Sequence, residues 1–201
     1  MFIIINKNMC IEIKNPNIYQ YFGDSTIRCV PSTFRNFKLY IISGFNLNIK
    51  RVRLVVYALI PNETERTFPI LFESLKEKFA FNPKIYTSDF QKSSTKALKK
   101  IFPNVYLVKC FFHFTQCIFK HIKKLGLSKK KFHKDIQEIL FNIKMLCFID
   151  PNYIYHIYKK IQNKYSNNNF KDFFTYFDKT WKPKGQYKKL KIIPEWNSFN
   201  Y

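Results

Sequence analysis

The stretch Lys84–Phe114, KIYTSDFQKSSTKALKKIFPNVYLVKCFFHF, decides how the chain folds. Its opening run, Lys84 to Ser88, is apolar and β-branched, reads as a short strand and ends at Asp89. FQKSSTKALKKIF then has helical spacing and is closed by Pro103. NVYLVKC, Asn104–Cys110, is a second strand, and His113 stands three residues after Cys110. A carboxylate thus ends one strand, and a Cys-x-x-His ends the next.

Upstream, three further strands are expected. NIYQYFGDSTIRCVP (Asn17–Pro31) mixes aromatic and β-branched residues and stops at a proline. FKLYIISGF (Phe37–Phe45) ends near Gly44, and RVRLVVYALIP (Arg51–Pro61) alternates before becoming fully apolar, like a buried strand. The short links favour antiparallel hairpins. NETERTFPILFESLKEKFAF is helical, with Phe68, Leu71, Phe72, Leu75 and Phe79 on one face, Asn62 or Thr64 as cap and Pro69 in the first turn. The order β-β-β-α-β-α-β describes an α/β fold with a mixed sheet and helices on its faces.

Past Cys110 the pattern becomes helical. We expect helices and no strand over residues 111–181, with breaks at Gly126-Leu127-Ser128, Asp150-Pro151 and Asn167-Asn168-Asn169. The expected organisation is a core at 1–110, a helical region at 111–181 and a basic tail at 182–201. The phenylalanines of the helical region (Phe111, Phe112, Phe114, Phe119, Phe141, Phe148, Phe173, Phe174, Phe177) are read as helix-core residues.

The 201 residues are 46% hydrophobic and 19% aromatic, so a sizeable core can form and global disorder is excluded. Lys and Arg number 35 against 13 acidic residues, a formal charge of +22. Such a balance suits a polyanionic partner, above all nucleic acid; codon bias toward Lys, Asn, Ile, Phe and Tyr is the other source. Lys120, Lys123, Lys124, Lys129, Lys130, Lys131 and Lys134 cluster, and can meet phosphates or form a solvated helix face. Five scattered cysteines suggest no disulfide framework and fit a reducing compartment. MFIIINKNMCIEI lacks the basic start of a signal peptide, and no apolar run approaches the roughly 20 residues that span a bilayer. We expect an intracellular protein without a membrane partner. The run Lys123–Lys134 suits nuclear import as well as a solvated face.

Taken singly, Asp24 and Asp89 are ordinary turn or helix-capping residues. Taken together with their surroundings they are more specific. GDSTIRCVPSTFRNFKLYIISG resembles the first-acid motif of the MULE (Mutator-like element) transposase domain, D-G-T-F-K followed by proline and an aromatic, with Ser25 for Gly and Ile27 for Phe. SDFQKSSTKALKKIFPNVYLVKCFFHFTQCIFKHIKKLGL resembles that family's second-acid motif and its Cys-x-x-His, with Gln91 for Glu two residues after the acid.

The resemblance implies a ribonuclease H-like sheet with an all-helical insertion after the fifth strand. It also implies DDE-type chemistry, in which two aspartates and a later glutamate hold Mg²⁺ or Mn²⁺ for DNA strand cleavage and transfer. On that reading Asp24 and Asp89 are catalytic metal ligands, the partner is double-stranded DNA at transposon ends, and the place of action is the nucleus. Transposases commonly act as multimers, so homo-oligomers are implied as well. Cys110 and His113 are half of a tetrahedral zinc site, which Cys117 and His121 could complete; packing or hydrogen bonding near the acids is the reading we favour. The third acid is expected after the helical region. The tail offers only Glu195, which lies before that position, so the sequence reads as an incomplete or decayed catalytic domain. The alternative is a non-enzymatic, domesticated DNA-binding remnant.

Overall fold

The computed structural model describes residues 1–26, 29–166 and 168–181. Ile27 and the basic tail 182–201, with Glu195, lie outside the described residues. The chain divides into two compact units, residues 1–108 and from Lys109 onward.

The first unit holds β1 (Phe2–Ile4), α1 (Lys7–Ile13), β2 (Ile18–Thr26), β3 (Lys38–Asn46), β4 (Arg51–Ile60), α2 (Thr67–Phe79), β5 (Ile85–Ser88) and α3 (Lys92–Ile101), and β6 (Tyr106–Lys109) leads out of it. The six strands form one mixed sheet in the order β1-β4-β3-β2-β5-β6. As the short links suggested, β2 with β3 and β3 with β4 are antiparallel. β5 returns to lie parallel to β2, a pairing that needs a long crossover, here through β3, β4 and α2.

The sheet has one strand more than the sequence pattern suggested. β1 pairs antiparallel with β4 through Phe2↔Leu59, Ile3↔Ala58 and Ile4↔Tyr57. α1 follows it, its N-terminus capped by Asn6, whose side chain accepts from the Met9 amide at 2.9 Å. The cap of α2 differs from the expectation of Asn62 or Thr64: the residue at the cap is Arg66, without a side-chain capping bond, while Thr64 Oγ1 accepts from the Thr67 amide at 3.4 Å and Thr67 Oγ1 donates to Asn62 Oδ1 at 2.5 Å just before the helix. α2 ends on Ala80 in the left-handed region, φ 55°.

α2 buries Phe68, Leu71, Phe72 and Leu75 against the sheet, and α3 buries Ala97, Leu98 and Ile101. The core is unusually rich in rings. Tyr40 meets Phe68 edge-on with centroids 5.3 Å apart, Phe72 meets Tyr86 at 6.0 Å, and Tyr21 meets Phe81 at 4.8 Å. Such edge-to-face pairs add about 0.5–1.5 kcal/mol each beyond the area they bury.

The second unit is helical among its described residues: α4 (Phe111–Lys124), α5 (His133–Met145), α6 (Pro151–Lys164) and α7 (Lys171–Thr180), with short 3₁₀ turns between them. Asp150 caps α6 by accepting from the Asn152 amide at 2.8 Å, and Pro151 opens the helix, where its missing N–H costs little. Phe114, Ile118 and Ile122 form the buried stripe of α4 at a spacing of four. The expectation that all nine phenylalanines lie in the core needs correction. Phe114, Phe173, Phe174 and Phe177 are buried, but Phe112, Phe119, Phe141 and Phe148 are exposed. They fall off the buried stripes of their helices, and helical periodicity alone does not force every ring inward.

One close approach fixes the centre of the sheet. A Cβ on Gly23 would overlap the hydroxyls of Tyr86 and Tyr40 and sit 2.7 Å from Tyr86 Cζ. Only glycine leaves room for the two rings there. Gly23→Ala is expected to cost about 1–3 kcal/mol by overpacking. The same substitution in a Tyr86→Phe background is expected to cost less, because one of the overlapping atoms is gone; urea unfolding of the four proteins of this cycle measures the difference.

Candidate active site

Asp24 and Asp89 are 65 positions apart in sequence, and the parallel pairing of β2 and β5 brings the strand that carries Asp24 beside the strand that ends one residue before Asp89. The register runs Tyr21↔Tyr86, Phe22↔Thr87, Gly23↔Ser88. Continued by one residue it makes Asp24 level with Asp89, at the carboxyl ends of neighbouring strands. Asp89 follows the last residue of β5. Side chains alternate along strands, so Asp24 lies on the face of β2 opposite Gly23. Gln20 and Thr87 share that face, and Gln20 Nε2 donates to Thr87 Oγ1 at 2.6 Å. Asp24 is exposed and Asp89 half-buried.

Each carboxylate is held by the backbone just after it. Asp24 Oδ1 accepts from the Ser25 amide at 2.8 Å. Asp89 Oδ1 accepts from the Gln91 amide at 3.0 Å, at the start of α3. Both negative charges reach the same two phenols in the core. Tyr40 and Tyr86 share a hydrogen bond of 3.0 Å, and Ser94 Oγ stands 3.5 Å from Tyr40 Oη. Burial pushes the Tyr40 phenol from 10.0 up to about 12; its bonds to Ser94 and Tyr86 work downward, and the charges of Asp89 and Asp24 add to the rise. Burial, then Tyr40, then Asp89 and Asp24 push Tyr86 well above 10.0. A pair of like charges beside each other favours a bound cation.

A third acidic residue, unremarked in the sequence, sits beside these two turns. Glu63 follows β4 in the turn before α2. Its carboxylate accepts from the Ser25 hydroxyl and forms an ion pair with Lys38. Its backbone carbonyl accepts from Gln91 Nε2 at 3.1 Å and from Ser93 Oγ at 2.9 Å. No local pattern marks such a residue, because its partners are 25 to 38 positions away.

The remaining candidate residues belong to the second unit. Cys110 is the residue before α4 and His113 lies in its first turn, both half-buried. Cys117 and His121 lie further along the same helix, and the His121 ring stacks on Tyr176 with centroids 3.5 Å apart. Burial, with the nearby charge of Lys124, lowers the His121 pKa. Lys120, Lys123 and Lys124 are exposed at the end of α4, and Lys129, Lys130 and Lys134 are exposed around the start of α5. The side chain of Lys131 falls outside the described residues. Lys123 Nζ stands 4.6 Å from the exposed Phe119 ring. Among the described residues, no three His, Cys, Asp or Glu side chains are grouped as a metal site. Among them, too, no helix is long and apolar enough to cross a membrane.

Residues 24–117 match the family model of the MULE transposase domain. The matched segment begins on Asp24 and runs through Asp89, Cys110 and His113. The likeness to this family read from the motifs therefore holds over the stretch that carries both aspartates. No curated protein matches the chain.

The phenols beneath the site also make a prediction about pH. Folding raises the pKa of Tyr40, so its contribution to stability is full below pH 10.0 and is lost as pH rises through about 12. Tyr86, raised in the same direction, adds to the loss. Circular dichroism against pH is expected to show unfolding in this alkaline window, with phenolate absorbance appearing alongside it.

Proposed function

We propose that the chain carries the catalytic core of a MULE-type DNA transposase, which uses a divalent cation to cleave and transfer DNA strands. The observation that carries this reading is the β2–β5 register, which runs to Gly23↔Ser88 and, continued by one residue, makes Asp24 level with Asp89, within the segment that matches the transposase family. The strand order β1-β4-β3-β2-β5-β6 supports a ribonuclease H-like sheet: without the edge strand β1 it is an antiparallel run of three whose innermost strand is followed by β5 and β6.

Asp24 and Asp89 supply hard oxygen donors on neighbouring strands, the donor type that suits Mg²⁺ or Mn²⁺. They would hold the ion, and such an ion would supply an activated oxygen nucleophile and stabilise the leaving oxygen. What the chain's own residues do is orient: the Ser25 and Gln91 amides fix one oxygen of each carboxylate. Further donors would come from DNA, water or a third acid. The exposed lysines of α4 and α5 would meet phosphates along the duplex. DNA at transposon ends, action in the nucleus and assembly into multimers belong to the same reading.

A second reading, a DNA-binding protein without catalysis, draws on the exposed lysines and the +22 charge. The two are separated by metal use. Mn²⁺-dependent nicking of a supercoiled plasmid by the purified chain is expected to fall at least 100-fold in Asp24→Asn and in Asp89→Asn, by loss of a ligand. Nicking that survives both substitutions would sink the enzyme reading. Duplex affinity that falls steeply with salt and ignores both substitutions, without any nicking, would favour the binder.

A further inference from the structure

We propose that Ser25, Glu63 and Gln91 form a hydrogen-bonded bridge that sets the separation of Asp24 and Asp89. The proposal rests on the reading of these aspartates as metal ligands, and it extends that reading to the side chains of Ser25 and Gln91 and to Glu63. Each link is a bond described above. Asp24 Oδ1 accepts from the Ser25 amide, and the Ser25 hydroxyl donates to the Glu63 carboxylate. On the other side, the Glu63 carbonyl accepts from Gln91 Nε2, and the Gln91 amide donates to Asp89 Oδ1. The path from one aspartate to the other thus runs through Ser25, Glu63 and Gln91, and its two sides meet on Glu63.

The surroundings suit a strut. The Glu63 side chain is 16% exposed, so its bonds compete little with water. Lys38, on β3, neutralises its charge and ties it to the sheet. Ser93 gives the Glu63 carbonyl a second donor from the first turn of α3. Two carboxylates without such a tie repel each other and spread. Ion affinity depends on their spacing, because donors must be presented within a few tenths of an ångström.

The chemistry of the two end residues is specific. Residue 25 needs a hydroxyl to reach Glu63, and glycine has none. Residue 91 needs an N–H to donate to a carbonyl, and a glutamate side chain, when ionised, only accepts. Ser25 and Gln91 are two of the three positions, with Ile27, at which the sequence departs from the acid motifs it resembles. They are departures that meet on one residue, so they form a matched set and do not by themselves mark decay.

The test uses the full chain and reads one end of the bridge while changing the other. Ser25→Ala removes the hydroxyl but keeps the amide that bonds Asp24. Amide hydrogen exchange at Gln91 in the metal-free protein is expected to quicken roughly tenfold in this variant, and to return to the parent rate in Ser25→Thr, which restores a hydroxyl. Unchanged exchange at Gln91 would overturn the bridge. Should Ser25→Ala not fold, Gln91→Glu read at the Ser25 amide makes the same test from the other side. Mn²⁺ titration by electron paramagnetic resonance then asks what the bridge is for. Affinity that is lost in Asp24→Asn and weakened roughly tenfold in Ser25→Ala supports positioning of the ligands. A parent chain that binds no Mn²⁺ overturns the metal reading but not the bridge, which the exchange measurement then decides alone.

Discussion

The parallel pairing of β2 with β5 is the constraint from which the rest of the first unit follows. Parallel neighbours cannot be joined by a tight turn. The chain must leave β2, run the length of the sheet twice in β3 and β4, and pass over it in α2 before β5 can lie down. That detour covers the sheet, builds the aromatic core, and brings residue 89 back beside residue 24. It also delivers Glu63 to the same end, because the turn from β4 into α2 opens there. The grouping of acids at the carboxyl ends of neighbouring strands is thus a product of topology.

Beneath the acids the protein is dry and aromatic. Tyr40 and Tyr86 place two hydroxyls under the carboxylates and bond them to each other. Gly23 is the residue whose missing side chain makes this possible. A rigid floor of this kind limits how far β2 and β5 can shift, and the carboxylates ride on those two strands. Packing below and hydrogen bonding beside them act on the same quantity, the geometry of two like charges.

The long elements were legible because their signals are strong. Arg51–Ile60 becomes an unbroken apolar run, and Phe68, Leu71, Phe72 and Leu75 repeat at helical spacing over the whole of α2. β1 and α1 were not foreseen. A strand of three residues and a helix of seven carry too few positions for a period to show, although Asn6 with Met9 and Ile13 is a cap followed by a buried pair. The exposed Phe112 and Phe141 show the opposite error, in which ring content was taken as burial. Asp24 and Asp89 could be paired only through motifs, since nothing local relates residues 65 apart. Glu63 gave no signal: in NETER it looks like any acid before a helix, and its partners lie on other elements.

The three-residue β1 leaves an uneven border to the sheet. It pairs with Tyr57, Ala58 and Leu59 of β4 and ends there, and α1 packs against β4 beyond it. An open strand edge invites pairing between molecules and, with time, fibrils. The part of β4 beyond β1 carries Arg51 and Arg53, both exposed, with Arg53 Nε 3.9 Å from Glu12 of α1. Two like molecules meeting along this border would set arginine against arginine. The strand pairing thus ends where the charge of β4 begins, and charge of this kind works against edge-to-edge pairing between molecules.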